Sequence, residues 1–147
     1  MKKLIIIITI LSLFNCGNDS IESILKRNNE ISGTMLDVAT KFVKAYTLGN
    51  DFYYEYSMNN CKEDQSEFLN MVFEKAASDN LIKQINSLEE FKIIGDKNYD
   101  IIFKYTCDDG RSISEINFKF IEGKFVYQRT DSEFNESVDK MYDVINN

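Results

Sequence analysis

Apolar residues recur along this chain in three rhythms, and each predicts a different kind of segment. From Leu4 to Phe14 they form a run of eleven residues, polar only at Thr9 and Ser12. Between Thr34 and Leu48, one set of apolar positions is Met35, Val38, Ala39, Phe42, Val43 and Tyr46. They fall at i, i+3, i+4, i+7, i+8 and i+11, the stripe of a helix. Thr34 would cap this helix, and Gly49-Asn50 would end it. After Asp51, the grouping of Phe52, Tyr53 and Tyr56 suggests a short second helix. Phe68, Leu69, Val72, Phe73 and Ala76 predict a third, from Glu63 or Ser66 to about Ala77. Leu81, Ile82 and Ile85 add a turn or two before Ser87.

The period then drops to two. Phe91–Ile94 reads as a short strand and Gly95–Asn98 as a turn. Tyr99, Ile101, Phe103, Tyr105 and Cys107 alternate with Asp100, Ile102, Lys104 and Thr106, the mark of a half-buried strand. Asp108-Asp109-Gly110 is a hairpin signal. Ile116, Phe118 and Phe120 alternate in turn, Glu122-Gly123 turns the chain again, and Phe125 to about Thr130 is the last strand. The helical rhythm returns from Ser132 to about Ile145, with Phe134, Val138, Met141, Tyr142 and Ile145 on one side. Helices, then hairpins, then a helix predict an α+β domain, with N-terminal helices on an antiparallel meander wet on its other face.

Composition narrows the chemistry. The chain has no histidine, tryptophan or proline. Without imidazole there is no Ser-His-Asp or Cys-His catalysis and no zinc site that needs a histidine. Net charge is −7, and it becomes −9 if Lys2 and Lys3 are removed with a leader. So acidic a domain repels phosphate backbones, which argues against a nucleic-acid partner. Asp96-Lys97-Asn98-Tyr99-Asp100 opens like a calcium loop, but Ile101 stands where glycine is needed and Cys107 where glutamate is needed. It reads as a turn, and no metal or cofactor is expected.

The start of the chain carries an address. Lys2 and Lys3 precede the apolar run, whose eleven residues would span roughly 16 Å as a helix. A bilayer core needs about 30 Å. The run therefore has the length of an export signal rather than of a spanning helix. Leu13-Phe14-Asn15-Cys16 resembles the lipobox of bacterial lipoproteins. Leu13 and Cys16 carry the match; Phe14 is bulkier than the usual residue. The resemblance implies a diacylglycerol-modified Cys16, removal of residues 1–15 as a signal peptide, and further acylation of the new amino group, often by palmitate. It places the protein in a bacterial cell envelope, held to a membrane through Cys16. Gly17 and Asn18 put no acidic residue directly behind Cys16, which disfavours inner-membrane retention in bacteria that use that rule. Residues 16–33 then form the lipidated N-terminus and tether, with a short helix over Ser20–Arg27, capped by Asp19, that either docks or stays mobile. Residues 34–147 form the single α+β domain. In an oxidising compartment Cys61 and Cys107 can pair. The loop between them, 46 residues long, corresponds to about 4 kcal/mol in the chain-entropy model.

The order of elements from Val38 to Asp51 and onward, an apolar helix, a Gly-Asn-Asp junction and an aromatic segment before long strands, resembles the cystatin-like cone of the nuclear-transport-factor-two-like superfamily. Many small bacterial lipoproteins of unknown function look like this, and the C-terminal helix is then an addition. The resemblance implies a curved sheet around a helix, often with a pocket. Tyr99, Phe103, Tyr105, Phe118 and Tyr127 would line it or simply fill the core. The superfamily holds isomerases, dehydratases, binders and association domains, so fold alone does not choose among them. A cone-type enzyme would use an Asp base beside a Tyr donor. Asp100 points away from Tyr99 and Tyr105 on its strand, and Asp37 lies off the predicted helix stripe, so no catalytic residue is assigned. The expected role is a non-catalytic binding or interaction module at a membrane, taking a small apolar ligand or an envelope or host protein. A structural surface lipoprotein without ligand is the third reading.

Overall fold

The computed structural model describes residues 20–59, 61 and 67–128. Cys16, the leader and the predicted Ser132–Ile145 helix lie outside them. Among the described residues no helix is long and apolar enough to cross a membrane.

The elements are α1 (Ile21–Glu30), β1 (Thr40–Leu48), β2 (Asp51–Met58), α2 (Glu67–Ile85), α3 (Glu89–Asp96), β3 (Asp100–Cys107), β4 (Ser112–Ile121) and β5 (Lys124–Gln128). They make an α+β fold around one five-stranded sheet in the order β1-β2-β3-β4-β5. β1 and β2 form an antiparallel hairpin, and β3, β4 and β5 an antiparallel meander. Between the two units β2 and β3 run parallel, from Asp51 beside Asp100 to Met58 beside Cys107. A parallel pair needs a long crossover, and α2 and α3 supply it.

Three expectations are corrected. The stretch read as a helix over Thr34–Leu48 is a turn followed by β1. The pairing with β2 shifts by one residue between Phe42 and Lys44. This bulge leaves Phe42 and Ala45, three residues apart, both buried on one face. Their spacing imitates a helical period, while Thr40, Phe42, Val43, Tyr46 and Thr47 have the branched and aromatic character of a strand. The segment after Asp51 is β2, with Phe52, Tyr54 and Tyr56 buried in strict alternation. Phe91–Ile94, read as a strand, belongs to α3, where Phe91, Ile94 and Gly95 are buried at i, i+3 and i+4. So short an apolar run does not separate helix from strand by pattern.

The folded unit also begins earlier than Thr34. Ser20 caps α1, its side chain accepting from the Ser23 N–H at 3.2 Å. Ile24 is completely buried and Asn28 nearly so. The N-terminal helix is docked, and its cap is Ser20 rather than Asp19.

The inner face of the sheet is aromatic. Tyr54 stacks on its β3 neighbour Phe103 at 5.3 Å between ring centroids, and Tyr56 on Tyr105 at 5.1 Å. Phe103 meets Phe118 of β4 edge-on at 5.8 Å. The helices add Ile24, Leu81, Ile85, Phe91 and Ile94 to the same cluster. One residue on each edge strand is engaged by the same device. The Asn29 amide donates to Ala45 O and accepts from Ala45 N, each at 2.8 Å. The Asn86 amide donates to Phe125 O at 3.0 Å and accepts from Phe125 N at 2.8 Å. Each side chain stands in for a neighbouring strand, occupying backbone groups that would otherwise pair with another chain.

Gly95 brings α3 close against Phe120 of the sheet. A Cβ there would lie 2.3 Å from the Phe120 ring. Gly95→Ala should therefore cost about 1–3 kcal/mol through overpacking. It should be read as a lower denaturant midpoint at unchanged slope, partly restored when Phe120→Leu is added. An unchanged midpoint would show that the contact relaxes freely.

Candidate functional site

The five residues expected to line a pocket sit in or against the core. Phe103, Tyr105 and Phe118 are buried, while Tyr99 and Tyr127 are half-buried and pack against them. Phe118 lies between Phe103 and Tyr127, the latter 5.7 Å away. Tyr105 is met edge-on by Phe73 of α2 at 5.0 Å. These rings pack on one another and on the core cluster.

A cavity of about 370 Å³ lies elsewhere, beside the end of β3 and the start of β4. Asn70 of α2, Cys107, Arg111, Ser112 and Ile113 line it. Cys107 is bonded to Cys61, with Cα atoms 5.9 Å apart, inside the range a disulfide needs. The bond ties the entry to the crossover onto the end of β3. Arg111 is held at the rim by Asp109, whose Oδ2 accepts from Nε at 2.7 Å. The Arg111 backbone N–H, which also donates to Asp109, and then its side chain hold that carboxyl below its ordinary range.

Two acidic residues that the sequence did not single out meet tyrosines where helices join the sheet. Glu90, at the start of α3, accepts from Tyr54 Oη and from Asn28 Nδ2, both at 2.9 Å. Its other oxygen faces Arg27 at 3.6 Å. Glu74 of α2 accepts from Tyr127 Oη and, at 3.2 Å, from Ser114 Oγ. The sequence signal for both was faint: a glutamate next to an apolar position, Phe91 or Phe73, with nothing to name its tyrosine 36 or 53 residues away. A general base must reach a substrate proton, and these carboxylates are instead spent on the fold's own donors. The two aspartates weighed from sequence are engaged as well. Asp37 Oδ1 accepts from the N–H groups of Ala39 and Thr40 at 2.7 and 2.8 Å. Asp100 Oδ1 accepts from Phe120 N at 3.0 Å.

The outer face of the sheet is chemically different. Lys44, Glu55, Lys104 and Glu115 are successive cross-strand neighbours on β1 to β4, an alternating row of charge. Lys44 Nζ is 3.6 Å from Glu55. In the next row Tyr46 and Tyr53 stack with centroids 4.8 Å apart and planes at 1°. Lys44 also sits 4.8 Å over the Tyr46 ring. Leu48, at the end of β1, is 66% exposed.

Comparison with known proteins bears on the fold. No family model matches the chain, and no curated protein matches it. Among solved structures it is similar to the crystal structure of a putative secreted protein from Pseudomonas aeruginosa, with a TM-score of 0.55 and 11% identity. The match covers 67% of this chain and 84% of the other. At that identity the likeness shows a shared fold.

Burial raises the hydroxyl pKa of Tyr54, Tyr56 and Tyr105 above the ordinary tyrosine value, with Glu90 adding to the shift at Tyr54. A raised native pKa favours the folded state below the unfolded value of about 10. That stability is lost as pH climbs beyond about 10, because only the unfolded chain releases these protons easily. In an alkaline titration the half-buried tyrosines should ionise before the buried ones. The buried ones should ionise only together with loss of the near-ultraviolet dichroism of the core. Smooth ionisation of every tyrosine at about pH 10 in a still-folded protein would contradict the burial.

Proposed function

We propose that this chain is a lipid-anchored, extracytoplasmic interaction module that works by binding a protein partner and not by catalysis. The observation that carries the reading is the use of the aromatic residues. Phe103, Tyr105 and Phe118 are buried in the core with Tyr99 and Tyr127 packed against it, while the Tyr46–Tyr53 stack and the alternating charges lie on the outer face of the sheet. Three things support the location: the lipobox-like Leu13–Cys16, the Cys61–Cys107 bond, which suits an oxidising compartment, and a structural neighbour named as secreted. The finer likeness to a cystatin-like cone keeps only the sheet packed on helices as support, since the two helices that carried the resemblance are β1 and β2. The isomerase or dehydratase alternative loses support because Glu74, Glu90, Asp37 and Asp100 all serve internal donors.

A second reading rests on the cavity of about 370 Å³ by Cys107 and Ile113. Its volume is within the range of small-molecule sites, though Asn70, Arg111 and Ser112 make its wall less apolar than a lipid-like ligand would want.

Intact-mass analysis and acyl labelling of native protein against Cys16→Ser test the anchor. The native chain should lose residues 1–15 and take label at Cys16; a chain that keeps its leader and takes no label ends the lipoprotein reading. Titration with an apolar fluorescent probe separates the two kinds of partner. The interaction module should show no saturable uptake. Saturable binding abolished by Ile113→Trp, which fills the cavity, would transfer the function to a small ligand.

A further inference from the structure

The early start of the fold changes what a lipid on Cys16 would do. A tether running from Cys16 to Gly33 would have 17 links and a reach of about 60 Å. The fold removes most of that slack. Ser20 caps α1, and Ile24 N donates back to Ser20 O at 3.1 Å. Ile24 is buried in the core, Asn28 is bonded to Glu90, and Asn29 is bonded at both its amide ends to Ala45. Freeing α1 as a tether would expose Ile24, strip the edge of β1 and leave Glu90 without Asn28 and Arg27. Only Gly17, Asn18 and Asp19 separate Cys16 from Ser20. Four links reach at most about 14 Å. The polar layer of one leaflet is itself about 5–8 Å deep.

Building on the lipidation proposed above, we infer that the first turn of α1 sits against the headgroup surface of the membrane that carries Cys16. The domain's partners are then proteins embedded in, or lying on, that same surface. Charge limits how the domain sits. With a net charge of −9 after leader removal, repulsion from anionic headgroups keeps the body of the domain on the water side, and contact is made by the end of α1 that the tether holds down. Confinement to one surface replaces free encounter with a high effective concentration, so a face bearing modest surface ion pairs can still serve as an interface.

The test uses the full-length, acylated protein in phosphatidylcholine–phosphatidylglycerol vesicles that carry a headgroup-linked energy acceptor. Cys61 and Cys107 are paired and Cys16 is acylated, so a donor dye on Glu22→Cys, an exposed position in the first turn of α1, labels one site. A second version carries 16 Gly/Ser residues inserted between Gly17 and Asn18, a flexible chain of about 20–24 Å. The native spacing should give efficient transfer, and the insertion should lower it several-fold. Weak transfer from native, acyl-labelled protein overturns the inference while leaving the lipoprotein reading intact. Strong transfer that survives the insertion also overturns it, since the domain's own surface would then hold the bilayer. A chain without acyl label at Cys16 removes the premise and with it the inference.

Discussion

Stacking of Tyr54 on Phe103 and of Tyr56 on Tyr105 joins the two halves of the sheet, and the rest of the architecture follows from it. Aromatic pairs directly across neighbouring strands are among the more favourable cross-strand contacts. Here they bring β2 and β3 together in parallel. That direction forbids a tight turn, so the chain must leave the sheet after Met58 and return at Asp100. α2 and α3 occupy the excursion and cover the stacked rings. The Cys61–Cys107 bond fixes its beginning to the end of β3. Gly95 fixes its end, letting α3 press against Phe120.

Polar groups inside this frame act as joints. Glu90 gathers Tyr54 of the sheet with Asn28 and Arg27 of α1, so one carboxylate connects three elements. Glu74 does the same for α2, β4 and β5 through Ser114 and Tyr127. A buried donor left without an acceptor costs about 1–3 kcal/mol, which is reason enough for these residues without any catalytic task. Asn29 and Asn86 each occupy the backbone groups of one residue on an edge strand, groups that could otherwise pair with another chain.

The proposed anchor and the fold bear on each other. An acidic domain gains nothing from anionic headgroups, so a membrane location would need the acyl group. Were Cys16 acylated as proposed, the helix docked so soon after it would remove the freedom that a long tether gives. The sheet's outer face, with Lys44, Glu55, Lys104 and Glu115 in register, remains the accessible surface of distinctive chemistry.

The sequence alone determined the α+β class, the third helix, the alternation of β3 and β4 with the turns between them, and which residues of those strands face inward. A strand's period of two and a hairpin's glycine are local properties. Cys61 and Cys107 were legible as a pair because the export expected from the leader leaves few other roles for them. The first two strands were hidden. The bulge at Val43 gave β1 a spacing of three that matches a helix, and β2 followed it into the same misreading. Only the tertiary structure decided that this hairpin joins the sheet, because its strand character depends on partners supplied by Phe103 and Tyr105, some fifty residues later. It likewise decided that Phe103, Tyr105 and Phe118 are buried in the core with Tyr99 and Tyr127 packed against it, that Glu74 and Glu90 find tyrosines, and that α1 is part of the domain. Each depends on a contact between distant parts of the chain, and local periodicity carries no record of it.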